Sequence, residues 1–190
     1  MKQKYSVRDL TLIALFAALT SIMAYITIPM PAGLPPITGQ TFAVMLAGML
    51  LGAKKGAMSQ IIYILLGIAG LPVFAGAMAG AGVLAGYSGG FIWGFVPGAY
   101  IIGKLTEKQA RTPLSILILA AFTGGVIAVY IPGVWQMAKV LGWPADKAVI
   151  AMLPYIPGDL VKVAASSLLA QKVLHSITAS QRFTLKTDSK

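Results

Sequence analysis

The stretch LTLIALFAALTSIMAYITIPMPAGLPPITGQTFAVMLAGMLLGA, residues 10–53, carries no Asp, Glu, Lys or Arg. A helix that crosses a bilayer needs roughly 20 mainly apolar residues. This run therefore holds two helices, separated by PMPAGLPP (29–36), whose prolines favour extended or turn geometry. Residues 56–103 and 112–138 are equally free of charge. The whole chain is 57% hydrophobic and 11% charged, with mean hydropathy +0.82. A soluble domain carries about 25% charged residues, so this composition cannot cover a globule with polar surface. A membrane β-barrel would alternate polar and apolar residues, and that alternation is absent. The sequence predicts an all-α integral membrane protein, a six-transmembrane-helix bundle in one domain over residues 1–190. The bundle is expected over about 10–178, with a polar tail at 179–190.

The spans follow from apolar runs and breakers. Helix 1 is expected over 10–28, helix 2 over 39–53 and helix 3 over 56–69, the last two joined by a tight AKKG turn. Both are short for a full crossing. A glycine-rich segment occupies 70–90, helix 4 runs over 91–105, helix 5 over 113–138, and helix 6 from Pro157 to about Ser176. MKQKYSVRDL followed by an apolar run resembles the start of a signal peptide. The run is too long for an h-region and lacks a small-x-small site, so it reads as a retained first helix.

Six spans put both termini on one side. That side would carry Lys2, Lys4, Arg8, Lys54, Lys55, Lys104, Lys108, Arg111, Lys172, Arg182, Lys186 and Lys190, against Lys139, Lys147 and Lys162 for the other side and helix 6. Lys and Arg concentrate in cytoplasmic loops, so both termini are expected to be cytoplasmic. The proline loop, the glycine-rich segment and the start of helix 6 then face outward. A net charge of +10 would suggest nucleic acid in a soluble protein. Flanking apolar spans, these cations suit anionic lipid headgroups instead, and no nucleic-acid partner is expected.

Catalytic motifs are missing. There is no Cys, the one His is His175, and no HExxH occurs. Asp159 is the only acid within the membrane region, so a carboxylate dyad sharing a proton cannot form. GAYIIGKL (98–105) fits G-x-x-x-x-G-K, but Leu105 replaces the Mg²⁺-binding Ser/Thr and no strand precedes it. The chain is not read as an enzyme, and no catalytic residue, metal or cofactor is expected.

PYIPGDLVK (154–162) is the exception to the avoidance of charge. Pro157 suits a helix's first turn, and Asp159 and Lys162, three apart, share one face of it. One reading is an internal salt bridge, with Asp159 further stabilised by the helix N-terminus. The other is a site, because ionisable groups at membrane depth are costly and usually functional. An anionic ligand group is favoured at a helix N-terminus. Lys162 adds positive charge, and Asp159 can accept from ligand N–H groups. The pair suits a small molecule with an anionic end and N–H donors. In the glycine-rich segment, Gly76/Gly80, Gly82/Gly86 and Gly90/Gly94 fit helix packing, whereas GYSGGF (86–91) equally fits a loop whose amides face a ligand. Phe74, Met78, Tyr87 and Phe91 are candidates to line such a pocket.

Taken together, PITGQT (36–41), LAGMLLGAKKGA (46–57), GLPVFAG (70–76), GYSGGF (86–91) and YIPGDLVK (155–162) resemble the BioY family, in order along nearly the whole chain. These are biotin-specific substrate-binding (S) components of energy-coupling factor (ECF) transporters. The family pattern reads GPTGGY where this chain reads GYSGGF, so no tyrosine hydroxyl stands at Phe91, while Ser88 keeps a hydroxyl. The resemblance implies six helices, an outward biotin pocket and a lid between helices 1 and 2. It implies that Asp159 binds the ureido ring and that Lys162 meets either the carboxylate or the ureido oxygen. Gly39, Gln40 and Thr41 would come from the lid. It further implies a docking patch on helix 1 at Ala14, Ala17, Ala18 and Ser21, facing a transmembrane coupling subunit that works with two ATPase subunits in a bacterial or archaeal cell membrane. Small residues at that spacing serve packing within the bundle equally well. A self-contained secondary carrier or channel for a small organic anion is the alternative. Such carriers usually show internal repeats and ion ligands near the midplane; no repeat is visible, and only one acid is available.

Overall fold

The structure, a computed structural model, describes residues 5–31, 34–107 and 112–187, with side chains as far as Ser176. Lys2, Lys4, Lys108, Arg111 and Lys190 lie outside the described residues, as do the side chains of Arg182 and Lys186. Helix α1 (Val7–Met23) opens with a capping box: the Asp9 N–H donates to Ser6 Oγ, and the Ser6 N–H donates to the Asp9 carboxylate. Beyond α1, two short antiparallel strands, β1 (Thr27–Ile28) and β2 (Ile37–Thr38), pair Thr27 with Thr38 and bracket the proline loop.

The next element, α2 (Gln40–Ile68), contains a break at Gly52, with φ 78° and ψ 178°. Few residues other than glycine take that conformation without strain. Residues 53–68 fold back along residues 40–51. A Cβ on Gly56 would lie 3.0 Å from the Ala47 carbonyl oxygen, and the Gln40 amide reaches the Tyr63 hydroxyl. Two short helices were expected here, but their turn is Gly52 rather than AKKG. Lys54 and Lys55 lie in the first turn of the second limb. The Ala53 N–H donates to Glu107 Oε2 at 3.2 Å, which satisfies one of the amides left open where that limb begins.

The glycine-rich segment divides in two. Residues 70–88 are mostly irregular, with a 3₁₀ turn at Ala75–Ala77 and a short helix α3 (Ala81–Ala85). Gly76, Gly80 and Gly82 meet nothing within 4 Å, so the pairs Gly76/Gly80 and Gly82/Gly86 pack no helices together. Helix α4 (Gly89–Thr106) begins at the end of the segment. On it, Gly90 and Gly94 lie against Pro132 and Val129, where a Cβ would fall 2.2 and 2.7 Å from backbone atoms. That pair is a packing stripe. Helix α5 (Leu114–Phe122) passes through one π-helical turn, Thr123–Ile127, into α6 (Ala128–Leu141). The expected helix 113–138 is thus interrupted by a π turn, where Gly124 and Gly125 admit Ile102 and Met45. A short α7 (Ala145–Ile150) and a 3₁₀ turn lead into α8 (Ile156–Thr187), which continues past Ser176, where helix 6 was expected to end, and into the expected polar tail at 179–190.

Among the described residues, three stretches are long and apolar enough to cross a membrane: Gln40–Ile68, Leu114–Leu141 and Ala145–Ser176. The core is built from Tyr63, Phe74, Met45, Ile102 and Leu117, all fully buried. Leu15, Ile22, Ile131, Trp135 and Val161 are exposed, an apolar outer surface that suits lipid. At one end of the bundle Lys55 pairs with Asp9 at 2.5 Å and Lys104 with Glu107 at 3.5 Å. The opposite end gathers the β-hairpin, residues 70–88, α7 and the first turn of α8.

Candidate substrate-binding site

Helix α8 starts at Ile156, which places Asp159 in its first turn. The two carboxylate oxygens of Asp159 have different partners. Oδ1 meets Lys162 Nζ at 2.7 Å, and Oδ2 accepts the Tyr130 hydroxyl from α6. Asp159 is 5% exposed. An ionised carboxylate offers about four acceptor positions, so two partners leave capacity for further N–H donors. Lys162 is committed differently. Its ammonium also donates to the Thr38 carbonyl at 3.1 Å and to Thr41 Oγ1 at 2.8 Å. Three N–H bonds with three acceptors use its whole donor set. Lys162 therefore ties α8 to the β-hairpin and to the first turn of α2.

These groups stand at the polar end of a cavity between the hairpin, α2, α4, α6 and α8. Asp159, Lys162, Gln40, Thr41, Tyr130 and Ser88 supply polar atoms, and Met78, Val83, Phe91, Phe95, Val129 and Met152 supply apolar wall. Pro35, Pro36 and Ile37 close it from the hairpin side. The Tyr155 hydroxyl donates to the Pro35 carbonyl, which fastens that loop to the turn before α8. Phe91 and Tyr130 meet edge to face with centroids 6.0 Å apart. Gln40 is held through Thr38 Oγ1, which donates to its Oε1, and through its own donation to Tyr63.

Of the ten residues expected at a binding site, Asp159, Lys162, Gln40, Thr41, Met78, Ser88 and Phe91 line this one cavity. The other three lie elsewhere. Gly39 backs onto Met23, whose atoms would stand 3.1 Å from an added Cβ. Phe74 is fully buried, T-stacked on Tyr63 at 5.6 Å and fitted over Gly67. Its ring fills the gap that glycine leaves. Tyr87 packs beside Met137, Met152 and Tyr155. The sequence reading missed Tyr130, Tyr155, Thr38 and Met152. A signal for Tyr130 existed: it is the lone tyrosine in the apolar run 112–138, and the only acid at this depth needs hydroxyl donors. Helix α1 also divides. Ala14 and Ala18 are exposed, Ala17 is buried, and the half-buried Ser21 hydroxyl donates to the Ala17 carbonyl at 2.9 Å.

Comparison with known proteins places the chain. The chain is 37% identical over 177 residues to the biotin transporter BioY of Rhizobium etli, covering 89% of this chain and 94% of that protein. It is 38% identical to the biotin transporter BioY of Rhodobacter capsulatus, covering 87% and 93%. The probable biotin transporter BioY of Pyrococcus horikoshii is 36% identical over 168 residues, covering 87% and 96%. A crystal structure of the S-component for biotin from an ECF-type ABC transporter superposes with a TM-score of 0.83 at 28% identity, over 91% of this chain and 94% of that one. The model of the BioY family matches residues 1–179. With that match across nearly its whole length, the chain belongs to the BioY family.

Proposed function

We propose that this chain is the biotin-binding S component of an ECF-type uptake transporter, and that the cavity at Asp159 is its biotin site. The observation that carries the reading is Asp159 itself: a buried carboxylate, neutralised by Lys162 and oriented by Tyr130, with acceptor capacity left at the polar end of an apolar cavity. Biotin complements that arrangement. Its ureido ring brings two N–H donors for Asp159, and its fused rings and valeryl chain suit the walls formed by Phe91, Phe95, Val129 and Met152. The names of the relatives, biotin transporters and a biotin S-component, support the same ligand. Gln40, Thr41 and Ser88 supply further polar contacts from α2 and the start of α4.

The bundle crosses the cell membrane six times as one domain, through α1, the two limbs of α2, α4, the joined α5 and α6, and α8. The end bearing Asp9, Lys54, Lys55 and Lys104 is cytoplasmic, as are both termini, and the cavity opens outward beneath the β-hairpin lid. Ala14 and Ala18 form the docking face for the transmembrane coupling subunit. Two ATPase subunits supply the energy, and this chain itself catalyses nothing. The test is equilibrium binding of labelled biotin to the purified chain in detergent, without nucleotide or partners. Saturable binding that unlabelled biotin displaces is expected. A protein that is folded but binds no biotin would end the reading.

A further inference from the structure

A second groove lies on the outer side of α6, lined by Ile131, Val134, Trp135, Lys139, Trp143 and Val149. Tyr130 and Met152 floor it and also belong to the wall of the Asp159 cavity. Its volume is about 630 Å³, room for a chain-like apolar molecule rather than for an ion or a water. Trp135 is 66% exposed along it, a large apolar surface that none of the described residues covers.

The rim differs from the wall. Lys139 closes the last turn of α6, Trp143 follows it, and Lys147 holds its ammonium 4.2 Å from the Trp143 ring centroid. Asp146, exposed at the start of α7, is the one acid nearby in sequence. Tryptophan and lysine are the side chains that settle at the level of lipid headgroups. One cation lining an apolar groove, Lys139, and a second, Lys147, set against the lining residue Trp143 match a molecule with an anionic head and a hydrocarbon tail. We infer that this groove holds an anionic phospholipid, its acyl chain along Trp135 and Ile131 and its phosphate between Lys139 and Lys147. The inference needs the chain to lie in a membrane and does not depend on what the Asp159 cavity binds.

Tryptophan fluorescence tests it, because only three tryptophans are present. In a Trp93→Phe protein, Trp135 and Trp143 are the reporters. The protein is placed in vesicles carrying brominated phosphatidylglycerol or brominated phosphatidylcholine at equal mole fraction. Stronger quenching by the phosphatidylglycerol is expected. Lys139→Gln and Lys147→Gln should each weaken that preference by roughly fivefold, and both lysines are exposed, so neither change disturbs the core. A Trp135→Phe/Trp143→Phe protein reports from Trp93, exposed on α4, and should show no preference. Equal quenching by the two lipids at the groove means annular contact only and overturns the inference. So does a preference that survives the double lysine variant, or one equally large at Trp93.

Discussion

Buried Asp159 and half-buried Lys162 are bound into one unit, so changing either alone acts on folding and binding together. Asp159→Asn keeps a side chain that Tyr130 can still donate to, but removes the ionic acceptor. Biotin affinity should fall by roughly tenfold or more, in line with a charge-assisted hydrogen bond of about 1.5–3 kcal/mol, with a smaller change in thermal stability measured in detergent. Lys162→Met leaves a buried carboxylate without its counter-charge, a loss of about 3–5 kcal/mol, and also frees the Thr38 carbonyl. Combining the two changes should recover much of the thermal stability while binding stays weak. If the double variant binds biotin normally, the pair is only a structural salt bridge. Because every N–H of Lys162 is already engaged, Lys162→Met should also leave the ratio of biotin to biotin amide affinity unchanged. A lost preference for the acid would assign Lys162 to the ligand carboxylate. The pair itself was legible from the three-residue spacing and its cost in lipid. Tyr130 was marked only as the lone tyrosine of its apolar run; its pairing with Asp159 was not legible, because it arrives from another helix 29 residues away in sequence and periodicity says nothing about which helices meet.

Helix α1 presents two alanine populations, and they should respond in opposite ways. Ala14 and Ala18 point outward, so Ala14→Leu together with Ala18→Leu should leave the fold and biotin binding intact while co-purification with the coupling subunit and uptake are lost. Ala17 is packed inside. Ala17→Leu should overpack the bundle, at about 1–3 kcal/mol, and lower the unfolding temperature. A double Ala14/Ala18 variant that unfolds or loses biotin would make that face ordinary core. The boundaries of α2 show why some elements read truly and others did not. Two short apolar runs around a lysine pair announced a helical hairpin correctly. The turn itself went to Gly52, because a positive φ decides the reversal and charge does not. Phe74 was misjudged for a related reason: an aromatic ring among glycines looks available to a ligand until Gly67 is seen to accommodate it.

Across the whole molecule, the ion pairs Lys55–Asp9 and Lys104–Glu107 mark one end of the bundle and Asp159 the other, which makes sidedness testable with a single reagent. The chain has no cysteine, so each introduced thiol reports alone. In intact cells a membrane-impermeant maleimide should label Lys147→Cys and spare Lys54→Cys until the cells are broken. The reverse pattern would invert the proposed orientation. The reversal at Gly52 bears on how the protein is made. Residues 40–51 form a limb of roughly 18 Å at 1.5 Å per residue, well short of the 30 Å hydrocarbon layer. Such a limb is a poor stop-transfer signal by itself, and its natural unit of insertion is the closed hairpin. In nascent chains that end just beyond Lys55, held in the membrane by α1 alone, an Ala47→Cys thiol should stay in water and react with N-ethylmaleimide, whereas in chains that extend past Gly70 it should be protected. Gly52→Val, which disfavours the reversal, should leave that thiol reactive in the longer chains as well, so that one glycine governs when this part of the polypeptide leaves the insertion machinery.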